Sequence, residues 1–338
     1  MVRYSELFCQ RGCQRGWRPD LNSAFQKTSQ ITGFNRGYLI CITATILWSS
    51  TAIFIRYLTV NYQMPPLVLA FWRDLFLTVV LGVVFALFNP IRLKLKTQDR
   101  KFMLFYGLVL AVFNSTWTVS VALNGAAVST VLAYSSAAFT AILGWWIFGE
   151  KLGKVKIAAV TLSLLGCVFV SGAHVPSTWQ LNPAGVVTGL ASGIFFASYS
   201  LMGKASSERS INPWTALVYA FGGAAVFIFF FNLFGWFLPP GLASTDFFWL
   251  GSSITGWLVL LALAVGPTVG GYGLYTVSLT YLPASIANII ATLEPVITAI
   301  LAYFLLAERF SPSQILGSIF IISSVIILRF SQEWSPAH

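Results

Sequence analysis

The sequence predicts an all-α polytopic membrane protein, with ten transmembrane helices arranged as two inverted five-helix repeats. Three observations predict it: composition, long apolar runs alternating with basic loops, and self-similarity between the two halves. Hydrophobic residues make up 57% of the 338-residue chain and charged residues 9%, with a mean hydropathy of +0.78. Soluble domains carry about 25% charged residues. Runs of about 20 apolar residues recur, each long enough to cross a hydrocarbon core of about 30 Å.

Residues 1–36 are polar and basic and lack an apolar stretch with a cleavage site, so they read as a cytoplasmic tail. Ten apolar runs follow, with cores near 37–58, 65–88, 102–122, 126–148, 155–174, 183–203, 213–238, 254–279, 283–306 and 312–330. Pro65, Pro66, Pro183, Pro213, Pro283 and Pro312 open helices, where a missing N–H removes no helical bond. Residues 331–338 form a C-terminal cytoplasmic tail.

Lys and Arg gather in the N-terminal tail, in the second loop (Arg92 to Lys101), in the fourth (Lys151, Lys154, Lys156) and sixth (Lys204, Arg209), and after the last span (Arg329). The opposite side holds Arg56 and Arg309. By the positive-inside rule both termini are cytoplasmic, which an even number of spans allows. The same topology accounts for the net charge of +10, so nucleic acid is not an expected partner. Cys41 and Cys167 lie in apolar runs as small hydrophobes. Cys9 and Cys13 have no His near them, so no metal site or cofactor is expected.

Residues 118–152 align without a gap on residues 276–310. TVSVALNGAAVSTVLAYSSAAFTAILGWWIFGEKL lies over TVSLTYLPASIANIIATLEPVITAILAYFLLAERF; TAIL recurs, and Glu150 meets Glu308, each followed by a basic residue. The first span echoes the sixth, ILWSSTAIFIR (46–56) over IFFASYSLMGK (194–204). Two halves follow, 37–174 and 183–330. Five spans is an odd number, so the second half sits upside down relative to the first. Secondary transporters use such inverted repeats, with substrate near the midplane.

The paired GEKL and LEP…AERF stretches, the LWSSTAIFIR first span and the FWRDLFL second span resemble the EamA-type branch of the drug/metabolite transporter superfamily. The resemblance covers the membrane part, residues 37–330. It implies a ten-helix basket with a central cavity that moves small metabolites, often amino acids, outward. The first half departs from the pattern: Ser135-Ser136-Ala137 stands where the second repeat has Leu293-Glu294-Pro295, so any carboxylate chemistry is one-sided.

Glu294 lies 11 residues after Pro283, about 16 Å into a core of about 30 Å. An ionisable group at that depth reads as functional. Either it contacts a substrate amine or a proton, or it makes a structural hydrogen bond while Pro295 kinks its helix. Arg73 and Asp74 sit about 10 Å deep in the second span. Adjacent helix positions point about 100° apart, so the two are not expected to pair. Arg73 meets a substrate carboxylate, Glu294, or carbonyls of another helix; Asp74 belongs to the same network. Glu150 and Glu308 end matching spans, where a carboxylate accepting backbone N–H groups from the next helix would fix the turn.

Gly266, Pro267, Gly270 and Gly271 make the eighth span a poor continuous helix, either a hinge or unwound binding segment or close packing around a kink. Trp48, Asn114, Trp117, Tyr134, Ser136, Tyr199, Tyr272, Tyr275 and Asn288 complete a candidate cavity. For any single aromatic, packing or an interfacial belt is the alternative.

A secondary active or facilitative transporter is the reading that inverted repeats favour. A polytopic enzyme acting on lipid-linked substrates is the alternative, but no His/Asp/Glu cluster or Cys–His pair is available for it. A channel would more naturally use a ring of subunits. No phosphate loop is present, so ATP does not drive the protein directly. Expected partners are a small-molecule substrate and membrane lipids, with protons as coupling ion and a homodimer both left open. The expected location is the cell (inner or plasma) membrane.

Overall fold

The structure is a computed structural model that describes residues 21–170, 172–176, 183–235, 240–297, 300–301 and 311–333. Cys9, Cys13, Glu308 and Arg309 lie outside the described residues. Among the described residues every regular element is helical. The principal helices are α1 (Leu21–Trp48), α2 (Thr51–Asn61), α3 (Pro66–Phe88), α4 (Arg100–Tyr134), α5 (Ser136–Phe148), α6 (Lys154–Val170), α7 (Pro183–Glu208) and α8 (Pro213–Leu233). They continue with α9 (Ile254–Leu263), a π-helical segment (Ala264–Tyr272), α10 (Gly273–Ser278), α11 (Ala284–Ala291) and α12 (Pro312–Glu333).

Seven stretches are long and apolar enough to cross a membrane, and two shorter apolar helices, Ala284–Ile297 and Pro312–Leu328, accompany them. The protein is therefore a multi-pass membrane protein. The fifth, ninth and tenth expected spans fall below that length among the described residues. α6 is described as far as Val170 and the ninth span as far as Ile297, each stopping at residues outside the described ones, and the apolar part of α12 is Pro312–Leu328.

Proline sets several starts. Pro66 and Pro213 occupy the first turns of α3 and α8, and Asn212 Oδ1 accepts the Trp214 N–H at 3.0 Å to cap α8. Two expected spans are reshaped. The first begins earlier, at Leu21, and breaks at Ser49–Ser50. The hydroxyls there bond to the Thr45 and Leu47 carbonyls at 2.7 and 2.8 Å, offering the ladder a competing donor. The third and fourth share helical hydrogen bonding across Arg100–Tyr134, but they do not form a straight rod. Ser120 Oγ and Ser129 Oγ lie 2.8 Å apart, whereas a straight helix would separate residues nine apart by about 13 Å. The chain folds back on itself between them.

The main contacts run between the first and second parts of the chain. α4 packs on α7 and α8, α3 on α8, α5 on α7 and α11, α1 on the π segment and α10, and α6 on α12. Neither half therefore completes its packing alone. Glycines let backbones meet at two of these crossings. A Cβ at Gly107 would lie 2.9 Å from the Gly223 Cα, and one at Gly166 would lie 2.7 Å from the Gly317 carbonyl. Gly107→Val should lower the melting temperature in detergent by the equivalent of roughly 1–3 kcal/mol. Gly82→Ala is the control, since an added Cβ there meets nothing within 4 Å. Equal melting of the two variants would contradict this account of the α4–α8 crossing.

Candidate functional site

Glu294 owes its position to Pro295. The proline has no N–H for the Ala291 carbonyl, and its ring crowds that carbonyl, so α11 cannot run through unbroken. The chain tightens instead: Thr292 N–H reaches Ile289 O at 3.1 Å and Leu293 N–H reaches Ile290 O at 3.0 Å. Helical bonding resumes with Ile297 N–H on Leu293 O at 3.0 Å. The first repeat is interrupted at the same register without a proline. Ser135, aligned with Leu293, separates α4 from α5, and its hydroxyl bonds to Leu132 O at 2.5 Å.

Three interruptions come together here. Tyr134, beside the Ser135 break, donates its hydroxyl to Glu294 Oε2. Ser49, in the α1–α2 break, has its Oγ 3.4 Å from the Glu294 carbonyl oxygen. Glu294 thus bonds to a residue of the other half and not to Arg73.

A second network crosses the halves beside it. Ser136 Oγ donates to Asn288 Oδ1 at 2.8 Å, and Asn288 Nδ2 donates to Ser200 Oγ at 3.1 Å. Ser200 gives its own proton to the Phe196 carbonyl at 2.9 Å, so Tyr275 O–H must be the donor in its 2.7 Å contact with Ser200. All four side chains are buried, and each therefore needs these partners. Tyr199 O–H lies 3.4 Å from Thr276 Oγ1. Trp48 packs on Tyr272, with ring centroids 4.4 Å apart, and on Tyr275 at 5.6 Å; Tyr199 meets Tyr272 at 6.0 Å. Trp117 is half-buried against both hydrophobic cores, the larger of which holds Trp48, Tyr199, Tyr272 and Tyr275.

Arg73, Asp74 and Asn114 form a third group. Contrary to the expectation from helix geometry, Arg73 and Asp74 pair: Arg73 Nε lies 3.2 Å from Asp74 Oδ1. Both are buried, so no water competes, and the long arginine stem curls back to its neighbour. Asn114 Nδ2 donates to the other carboxylate oxygen at 2.8 Å. Arg73 Nη2 is buried and has no hydrogen-bond partner among the described residues.

The eighth span is neither broken nor a plain helix. Around Pro267 it widens into π geometry, and Thr268 Oγ1 bonds back five residues to Leu263 O at 2.8 Å. α1 packs against this segment where side chains are missing: a Cβ on Gly270 would lie 2.9 Å from Leu47, and one on Gly271 would lie 3.2 Å from Trp48. Gly266 faces open space.

Glu150 acts differently from the expectation. α5 ends on Gly149 at φ 65°, a left-handed residue that brings Glu150 N–H to Gly144 O at 3.1 Å. The carboxylate folds over Gly144, where a Cβ would lie 2.9 Å from it. It takes Lys156 Nζ at 2.9 Å and the Ser285 hydroxyl, while Lys156 also donates to Ser285 Oγ at 3.0 Å. Glu150 therefore ties α5 to α6 and α11 through side chains, and backbone N–H groups of the next helix are not among its contacts. Lys156, which the sequence presents as a loop charge, is buried. Ser49, Ser200, Thr276 and Ser285 were missed as site residues. Serine and threonine are common in apolar helices, where they bond to their own backbone, so nothing in the local sequence marks these four.

The sequence profile of the EamA-like transporter family matches residues 35–172 and 183–330, two copies that together span most of the chain. Among similar proteins are an uncharacterised inner membrane transporter, YicL, of Salmonella typhimurium, 24% identical over 87% of this chain and 95% of its own. A probable amino-acid metabolite efflux pump of Escherichia coli is 24% identical over 88% of this chain and 96% of its own. The threonine/homoserine exporter RhtA of Salmonella typhimurium is 27% identical over 72% of this chain and 75% of its own. One crystal structure of a protein superposes with a TM-score of 0.68 at 16% identity, covering 89% of this chain and all of that one, which shows the shared fold. With two copies of the family profile covering most of its length, the chain belongs to the EamA-like transporter family.

Proposed function

We propose that the protein is a secondary active or facilitative transporter that exports small, amino-acid-like metabolites. It works by alternating access between two inverted five-helix halves, residues 37–174 and 183–330. Both termini lie in the cytoplasm, and the chain resides in the inner or plasma membrane. Membership in a transporter family leaves the lipid-modifying enzyme without support.

The observation that carries the reading is the setting of Glu294. A carboxyl group sits at a break in its own helix, faces a second break at Ser49–Ser50, and bonds to Tyr134 from the other half. A group held between halves changes its surroundings when they rock, so its binding of a substrate or a proton becomes linked to that motion. Gly266, Pro267, Gly270, Gly271 and Pro295 supply the hinges, since a π segment and a proline break hold fewer regular helical bonds. Asp74, Glu150 and Glu308 are structural. The amino-acid cargo rests on the efflux and export named for two relatives.

Proteoliposomes holding the purified protein should release preloaded radiolabelled L-threonine or L-homoserine faster than empty vesicles, and release should saturate with concentration. Identical release from both vesicle types across an amino-acid panel would overturn the amino-acid reading.

A further inference from the structure

We infer that Arg73 is an anion subsite of the transport pathway, one that takes a carboxylate carried by the substrate. This rests on the transporter reading above and adds a named recognition group to it. A guanidinium offers five donors in a planar fork. Here one carboxylate oxygen, Asp74 Oδ1, meets Nε at 3.2 Å, and the other is turned to Asn114 at 2.8 Å. Asp74 thus balances the charge of Arg73 without using its fork. Nη2 remains buried and unpartnered among the described residues, and Arg73 itself is only 2% exposed.

A buried charged donor left without an acceptor is a standing destabilisation that proteins rarely retain without a use. Its natural complement is a planar anion that can lie along the fork, and a carboxylate fits that geometry. Asp74 and Asn114 hold the stem, so the donor is placed before the ligand arrives. Arg73 belongs to α3, which packs on the π segment that carries Tyr272.

Thermal unfolding of the purified full-length protein in detergent tests this, at constant ionic strength, with L-threonine, L-threoninamide, acetate and inorganic phosphate as probes. L-threonine and acetate should raise the melting temperature, and L-threoninamide should not. Arg73→Gln alone leaves Asp74 buried and unpaired and can fail to fold, so the decisive variant is R73Q with D74N, which keeps shape and removes both charges. It should fold and bind acetate about tenfold to a hundredfold more weakly. Stabilisation by acetate but not by L-threonine would sink the amino-acid cargo and keep the subsite. Equal binding of acid and amide, undiminished binding by the double variant, or no response to any carboxylate would overturn the subsite. Response to phosphate alone would make it an inorganic-anion site and overturn the assignment to substrate.

Discussion

Glu294→Gln is expected to leave a folded protein whose transport is at least about tenfold slower and no longer responds to pH. Glutamine keeps the shape of the side chain, and its amide oxygen can still accept the Tyr134 hydroxyl that bonds to Oε2. It cannot carry charge or exchange a proton. The substitution therefore separates the charge from the bond that joins the two halves, which it spares. Loss of one charge-assisted contact, about 1.5–3 kcal/mol, corresponds to a tenfold change or more. The measurement is uptake or efflux in proteoliposomes over a range of pH, with the melting temperature in detergent as the control for folding. Wild-type rates with a wild-type pH profile would remove Glu294 from coupling. A protein that no longer folds would assign Glu294 to structure, and Tyr134→Phe would then show how much the shared hydrogen bond contributes.

Glu150→Ala is expected to be the most destabilising change at the α5–α6 turn, by about 3 kcal/mol or more. Lys156 and Glu150 side chains are only 9% and 12% exposed. Removing the carboxylate leaves a buried ammonium with only the Ser285 hydroxyl, 3.0 Å away, as partner. Removing one member of a buried pair leaves the other charge uncompensated, whereas replacing both with apolar groups removes the desolvation penalty together with the attraction. Glu150→Leu combined with Lys156→Met should therefore recover most of the lost stability. The comparison is between melting temperatures in detergent. If the single and double variants melt alike, the pair is not what holds this turn.

The sequence made the spans legible because their signals are local. A proline can start a helix but not sit inside one without disruption, so α3 begins at Pro66 and α8 at Pro213. The glycines and proline of the eighth span announced a departure from α-helix, and π geometry is the form it takes. Glu294 was legible as an exceptional residue, a charge in an apolar run that serves either a substrate or proton contact or a structural hydrogen bond. Its partner was not. Tyr134 lies 160 residues away, and several tyrosines were equally good candidates. The pairing of Arg73 with Asp74 was misjudged because helix geometry fixes where a Cβ points, not how far a long side chain bends in a site without water.

Composition and the spacing of breakers determined that this chain is helical, lies in a membrane and repeats itself, since bilayer thickness and backbone hydrogen bonding leave few other options. The tertiary structure decided which faces are inside. In a soluble helix, polar residues mark the outer face. Here the lipid-facing side is as apolar as the core, with Phe88 82% and Ile254 75% exposed, so periodicity cannot separate the two. The rotation and depth of each helix then decide which sparse polar groups meet. Through that choice Tyr134 reached Glu294, Ser136 reached Asn288, and Lys156 turned from a loop charge into a buried tie between α6 and Glu150.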